Sequence, residues 1–241
     1  MELNVLYKED CFELIKEIPD NSIDCICTDP PYLISRDSNY HKISSTTSES
    51  LIKKFGKYKI DFGEFDNIQY NWLELFTQYY RILKKGGTII WFFDCFKMET
   101  IKNIAESCKF KQARLNIWIK TNPVPINSKL NYLTNAKEYF ITFVKGSKPT
   151  FNSKYDNGVY YYPIEHGKER TKHPTQKPLR LMEELILKHT NENDIVLDNF
   201  AGSGTTLKAC GIHKRNFIGC ESNDEFYEIA KNRLKDFLVG T

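Results

Sequence analysis

Asp29-Pro30-Pro31-Tyr32 sets a carboxylate, a backbone carbonyl and an aromatic ring within four consecutive residues. Two successive prolines hold the backbone extended and stiff, so the three groups keep a fixed relation. Such a trio suits a planar group that carries an amino nitrogen. The Asp29 carboxylate and the Pro30 carbonyl can accept its two N–H bonds, and the Tyr32 ring can cover its face. A plain proline turn after a strand would use the same residues, so chemistry here needs a second component in the chain.

That component is Asp198-Asn199-Phe200-Ala201-Gly202-Ser203-Gly204-Thr205. A small-residue turn between a strand and a helix lets backbone approach a ligand closely, and the helix start offers free N–H groups. A Gly-x-Gly turn alone is a weak signal. Gly204 is followed by Thr205 and not by Lys, which disfavours triphosphate binding. Glu221-Ser222 lies about 20 positions beyond the turn, a spacing that suits ribose hydroxyls. Together the two features read as an adenosine-containing cofactor site.

Both motifs need elements to hold them. Asn4–Tyr7 reads as a short strand and Cys11–Ile18 as a helix. Ile23–Thr28 reads as a buried strand that delivers the proline corner. Trp72–Leu83 reads as an amphipathic helix closed by Lys84-Lys85-Gly86-Gly87 as a glycine cap. Thr88–Phe93 is a continuous apolar strand of the doubly buried kind. Lys97–Cys108 follows as a helix, and Arg114–Lys120 with Glu138–Val144 as an antiparallel pair. His173-Pro174-Thr175-Gln176-Lys177-Pro178 leads into a helix at Leu179–His189. The strand Asp194–Asp198, a helix from Gly204, the strand Arg215–Cys220 and a last helix, Asn223–Leu238, complete the chain. Alternating strands and helices imply an α/β fold with a mostly parallel sheet.

Two stretches resist this pattern. The 33–67 stretch is polar and aperiodic, with basic and aromatic residues interleaved at Lys54-Phe55-Gly56-Lys57-Tyr58-Lys59, and is expected to be a flexible loop that suits a phosphate backbone. The stretch Lys145–Lys172 mixes Phe151, Tyr155, Tyr160, Tyr161 and Tyr162 with cations. It reads either as a recognition surface or as a loop that packs its tyrosines on the body.

The 241 residues, 41% hydrophobic and 27% charged, fit one large globular domain. No run is long enough to cross a bilayer, so a soluble, cytoplasmic chain is expected. A net charge of +3 allows a nucleic-acid partner without demonstrating one. The seven cysteines include no Cys-x-x-Cys pair and no matched His spacing. They read as free thiols, with Cys25 and Cys27 as small core residues and no metal site.

The three spaced motifs, in this order, resemble an amino-group DNA methyltransferase dependent on S-adenosylmethionine, of the permuted beta group. The resemblance runs from Asp10 to about Leu234; Asn199 stands where many members have Pro. It implies a doubly wound, mostly parallel seven-stranded sheet with one antiparallel strand, in a single domain with a target-recognition region at about 122–172. It places Ile195–Asp198 beside the strand ending at Asp29, then Phe217–Cys220, then Val5–Tyr7 at the edge. Both motifs would then meet where the strand order reverses. It further implies catalysis by Asp29, Pro30, Pro31 and Tyr32 on a flipped-out base of double-stranded DNA. Asp10 and Cys11 would meet the adenine ring of the cofactor, and Phe200, Ala201, Gly202, Ser203, Gly204 and Thr205 its methionine and ribose. Glu221 and Ser222 would bind the ribose, with Asp198, His173, Thr175 and Lys177 completing the cofactor site. Asp at position 29, where others have Ser, favours adenine N6 over cytosine N4. An RNA methyltransferase or a catalytically silent DNA-binding module are the remaining alternatives. A bacterial, archaeal or phage setting on the nucleoid follows, and the resemblance leaves open a homodimer and a cognate restriction endonuclease for the same site.

Overall fold

Buried apolar strands dictate the architecture, and helices cover them. The computed structural model describes residues 1–31, 71–123 and 133–239. The chain divides into two units, Met1–Pro30 with Asn71–Thr241, and Pro31–Tyr70; of the second, only Pro31 is among the described residues. The 33–67 stretch and Tyr32 lie outside the described residues, as do residues 124–132 of the expected recognition region.

Among the described residues the strands are β1 (Val5–Tyr7), β2 (Ile23–Thr28), β3 (Leu83–Phe93), β4 (Phe110–Lys120), β5 (Lys137–Lys145), β6 (Val159–Tyr162), β7 (Ile195–Asp198) and β8 (Asn216–Cys220). The helices are α1 (Cys11–Glu17), α2 (Trp72–Ile82), α3 (Met98–Ser107), α4 (Leu179–His189), α5 (Thr205–Ile212) and α6 (Asp224–Leu234). The sheet order is β1-β8-β7-β2-β3-β5-β4-β6. Only β5 runs against its neighbours β3 and β4; the other pairs are parallel. The order reverses between β2 and β7, so the carboxyl ends of those strands border the crevice where open α/β sheets bind ligands.

Two expectations need correction. The sheet has eight strands, the extra one being β6 at the edge beside β4, where the Trp118 indole donates to the Tyr162 carbonyl at 2.8 Å. Tyr160 is buried, and the Tyr162 hydroxyl donates to Glu184 at 2.5 Å, whereas Tyr155 and Tyr161 are exposed. The tyrosine-rich stretch therefore both packs and presents aromatics. The second correction is at Lys84–Gly87, which is no helix cap. Helix α2 ends at Ile82 and the chain turns extended at once. Cys25 pairs with Thr88 while Ile23 pairs with Leu83, so the extra residues of β3 form a bulge. Gly86 has φ +87°, and a Cβ on Gly87 would lie 2.8 Å from the Asp24 carbonyl. The glycines serve the bulge, and Lys84 closes it on the Asp24 carboxylate at 2.8 Å.

The core centres on β3 and the inner face of α2. Phe76 is fully buried, with its ring 5.0 Å from Trp91, 6.0 Å from Phe143 and 6.1 Å from Phe110. These rings join α2 to β3, β4 and β5 in one apolar cluster. Phe76→Ala should therefore cost about 3–5 kcal/mol of stability, read by urea denaturation. A loss below about 1 kcal/mol would show that the cluster does not hold the sheet.

Candidate active site

The ends of β2 and β7 are tied by a side-chain bond. The Thr28 hydroxyl donates to the Asp198 carboxylate at 2.9 Å, and both residues are buried. The Phe200 amide donates to the same oxygen at 3.2 Å. Burial pushes the Asp198 carboxyl up to about 6, against hydrogen bonds from Thr206 and Thr28 that favour its anion. Asp198 thus organises the turn from beneath.

The turn is shaped by its glycines. Gly202 has φ +51°, and a Cβ there would sit 2.9 Å from His173 Nε2. Gly204 has φ +73°, and a Cβ there would sit 3.0 Å from the Ala230 side chain of α6. The Gly202 amide donates to Glu221 at 2.8 Å, and the Asn223 amide donates to the other carboxylate oxygen at 2.8 Å. Burial raises the Glu221 carboxyl, while those backbone donors oppose the rise. Glu221 itself is anchored where its amide donates to the Tyr7 carbonyl of β1 at 3.0 Å.

Several residues that sequence reasoning missed support this turn. Arg233, near the end of α6, donates to the Ser203 carbonyl at 2.6 Å and to the Thr205 hydroxyl at 3.0 Å. Its other nitrogen meets Glu169 at 3.2 Å, and Lys208 meets the same carboxylate at 2.8 Å. The Tyr79 hydroxyl donates to Asn199 Oδ1 at 2.7 Å, so the Asn that replaces Pro is used as an acceptor for α2. Asn199 Nδ2 is buried with no hydrogen-bond partner in the protein among the described residues.

At the proline corner, the Lys177 ammonium is ion-paired with Asp29 and lies 3.2 Å from Glu138. It also sits 4.9 Å from the Phe92 ring centroid. Lys120 pairs with the far oxygen of Glu138 at 2.7 Å. Lys177 is 5% exposed. Burial pulls its ammonium down, and the Asp29 and Glu138 carboxylates more than reverse this, so it stays charged. Gln176 fixes the approach, accepting from the Thr171 amide and hydroxyl at 2.8 Å each and donating to the Glu169 carbonyl at 2.8 Å.

The sequence-derived residues fall into three groups. Asp29, Lys177, His173, Asp198, Phe200, Gly202, Ser203, Gly204, Thr205 and Glu221 are linked by these bonds and close contacts at the carboxyl edge of the central strands. Asp10 caps α1 by accepting from the Phe12 amide at 2.8 Å, and Cys11 is buried beside it. Thr175 and Ser222 are exposed, and the Ser222 backbone hydrogen-bonds the Glu221 carboxylate. Lys177, expected on the cofactor, meets the Asp29 carboxylate directly. Glu138 carried a readable sign. An antiparallel strand starts at the edge where its parallel neighbours end, so an acid at the start of β5 falls at the reaction edge.

Comparison with known proteins gives this geometry a context. A family profile, N6_N4_Mtase, described as DNA methylase, matches residues 23–232. The chain is 34% identical over 245 residues to type II methyltransferase M2.MboI of Moraxella bovis, covering 96% of this chain and 87% of the relative. It is 34% identical over 253 residues to type II methyltransferase M.HinfI of Haemophilus influenzae, covering 97% of this chain and 69% of the relative. A crystal structure of an M1.HpyAVI–SAM complex is 32% identical, superposes with a TM-score of 0.70 and covers 95% of this chain and 98% of that one.

His173 gives the site a measurable electrostatic signature. Its ring lies 4.2 Å from the Phe226 ring, and burial first, then the cations Lys177, Arg170 and Arg233, lowers its imidazolium to about 4. The unfolded chain takes this proton nearer pH 6.5, so stability is complete above that value and is lost as pH falls towards 4. His173→Gln should remove about 3 kcal/mol of that acid-side loss, read as a flatter stability–pH curve in chemical denaturation. An unchanged slope would place the imidazole in water.

Proposed function

This chain belongs to the N6/N4 DNA methylase family, and on that premise we propose that it methylates the exocyclic N6 of adenine in double-stranded DNA. The methyl donor is S-adenosylmethionine. The observation that carries the reading is the Asp29 carboxylate, ion-paired with Lys177 at the end of the strand tied to the glycine turn. An anion there accepts an amino hydrogen more strongly than a hydroxyl would. That favours the adenine target.

The residues present fit the donor. A left-handed glycine pair gives close backbone approach, Glu221 is a carboxylate held by two amides and retaining lone pairs for hydroxyls, and Asn199 Nδ2 is a buried donor awaiting an acceptor. Phe200 to Thr205 would line the methionine and ribose, and Asp10 and Cys11 the adenine. When bound, S-adenosylmethionine supplies a methyl on an electron-poor sulfonium, the N–C bond forming as the C–S bond breaks and sulfur keeps the electron pair.

The chain's own work is positioning. A base inside a duplex is out of reach, so it is flipped into the site, and Tyr32 would restore stacking worth about 1–3 kcal/mol. Asp29 and the Pro30 carbonyl accept the amino hydrogens, which turns the nitrogen lone pair out of conjugation and towards the methyl. The surplus proton leaves the nitrogen after transfer, with the Asp29 carboxylate as its nearest acceptor. Much of the acceleration then comes from orientation. A restriction endonuclease that reads the same sequence is the partner such a mark would answer.

The test is chemical. DNA from an unmethylated host expressing the chain should yield N6-methyladenine on nucleoside mass spectrometry. N4-methylcytosine in its place would overturn the choice of base, and methylated RNA alone would overturn the substrate. Asp29→Ala should lower transfer by about 10²–10⁴-fold with S-adenosylmethionine affinity retained. Near-normal transfer by that variant would remove Asp29 from the chemistry.

A further inference from the structure

Behind Asp29 lies a buried row of alternating charge: Asp29, Lys177, Glu138, Lys120. The side chains of Lys177, Lys120 and Glu138 are 5%, 11% and 19% exposed, so water screens the row weakly. Its members come from four places: the end of β2, the loop before α4, the start of β5 and the end of β4. Burial raises the Glu138 carboxyl, and the Lys177 and Lys120 ammonium groups more than reverse this, leaving it ionised. Fold stability does not account for such a row, because apolar side chains of similar size usually serve as well or better.

Lys177 is the shared member. One cation facing one buried carboxylate would form a closed pair and would compete with an amino group for the same lone pairs. The second carboxylate, 3.2 Å from the same ammonium, divides its charge. Lys120, 2.7 Å from the far oxygen of Glu138, limits how far that division goes. Among the described residues, Asp198 and Cys27 neighbour Asp29, and His173 neighbours Lys177 in its neutral form.

We propose that Glu138 is a positioning residue of the methyl-transfer reaction: through Lys177 it sets how strongly Asp29 accepts hydrogen bonds from the target amino group, with Lys120 opposing it. The inference rests on the reading of Asp29 as that acceptor. Glu138 touches neither base nor cofactor. It acts by sharing the charge of the Lys177 ammonium with the reacting carboxylate, so the acceptor strength of Asp29 is adjusted from behind.

Charge removal at either end of the row has opposite signs, and this makes the test sharp. Glu138→Gln keeps the shape and removes the anion, so the field at Asp29 becomes more positive and protonation needs a lower pH. Lys120→Met removes the outer cation, so the field becomes more negative and protonation occurs at a higher pH. Single-turnover transfer rates on duplex DNA across pH should therefore show the acid limb moving down by about one pH unit in Glu138→Gln and up by about one in Lys120→Met. The plateau rate of Glu138→Gln should fall about tenfold as the acceptor weakens, with the KM values for DNA and S-adenosylmethionine within about threefold of the parent. A merely structural role would slow both variants without moving the limbs apart.

Thermal unfolding and S-adenosylmethionine titration establish that each variant is folded. If Glu138→Gln does not fold, Lys120→Met alone decides, an upward limb supporting the inference and an unmoved one overturning it. Limbs that coincide, or move the same way, also overturn it. With Asp29→Ala inactive, that outcome sinks the tuning and leaves Asp29 as the acceptor. If Asp29→Ala is active, the underlying reading fails first.

Discussion

The fold hangs on one hydrogen bond in a dry place, Thr28 to Asp198. It joins the last residues of two neighbouring parallel strands whose register pairs Cys25 with Val196 and Ile26 with Leu197, so Thr28 lies one residue beyond the position level with Asp198. Backbone pairing alone stops at the strand ends, where both chains turn away into their motifs. The hydroxyl-to-carboxylate bond carries the alignment one residue further, into the proline corner on one side and the glycine turn on the other. A reaction between two bound molecules needs that precision, because orientation contributes only while both partners keep their places. The cost is a buried acid whose own proton affinity is raised. Three donors, Thr28, Thr206 and the Phe200 amide, offset it.

The two sides of the crevice solve their electrostatics differently. Around the glycine turn the charges are held by backbone and by long cations from a distance: Glu221 accepts two amides, and Arg233 reaches back from α6 to donate to the turn's carbonyl and hydroxyl. These donors fix the conformation of the turn. At the proline corner full charges stand in contact, and their sum over Asp29, Lys177, Glu138 and Lys120 is neutral. A neutral row can be buried where a lone carboxylate could not stay ionised. The corner thereby holds a carboxylate at the carboxyl end of β2.

Much of this was legible in the sequence, for physical reasons. Strands such as Ile23–Thr28 and Thr88–Phe93 are apolar on both faces, and helices such as Leu179–His189 carry apolar residues at helical spacing, so period and burial agree. The glycine turn, the proline corner and Glu221 are local in sequence, and local chemistry can be read locally. What escaped was of two kinds. Val159–Tyr162 is only a four-residue edge strand, too short for periodicity to register, although Val and Tyr favour strands. Lys84–Gly87 has the composition of a helix cap, and only the sheet register shows that its glycines permit a bulge. The other kind is long-range: Lys120, Tyr79, Glu169 and Arg233 reach the site from segments whose spacing in the chain carries no hint of it.

The sheet also explains why the motifs can occur in this order at all. Asn4 donates to the Phe217 carbonyl at 2.7 Å, and the Val239 amide donates to the Asn4 carbonyl at 3.1 Å. The first strand is therefore the outer neighbour of the last, and a connection between them would span only a short gap. In such a closed arrangement the choice of where the chain is cut hardly alters which residues meet. What cannot be altered is the adjacency of β2 and β7, since a one-residue slip there would turn Thr28 away from Asp198. Motif order along the chain is thus free, and strand register at the switch point is not.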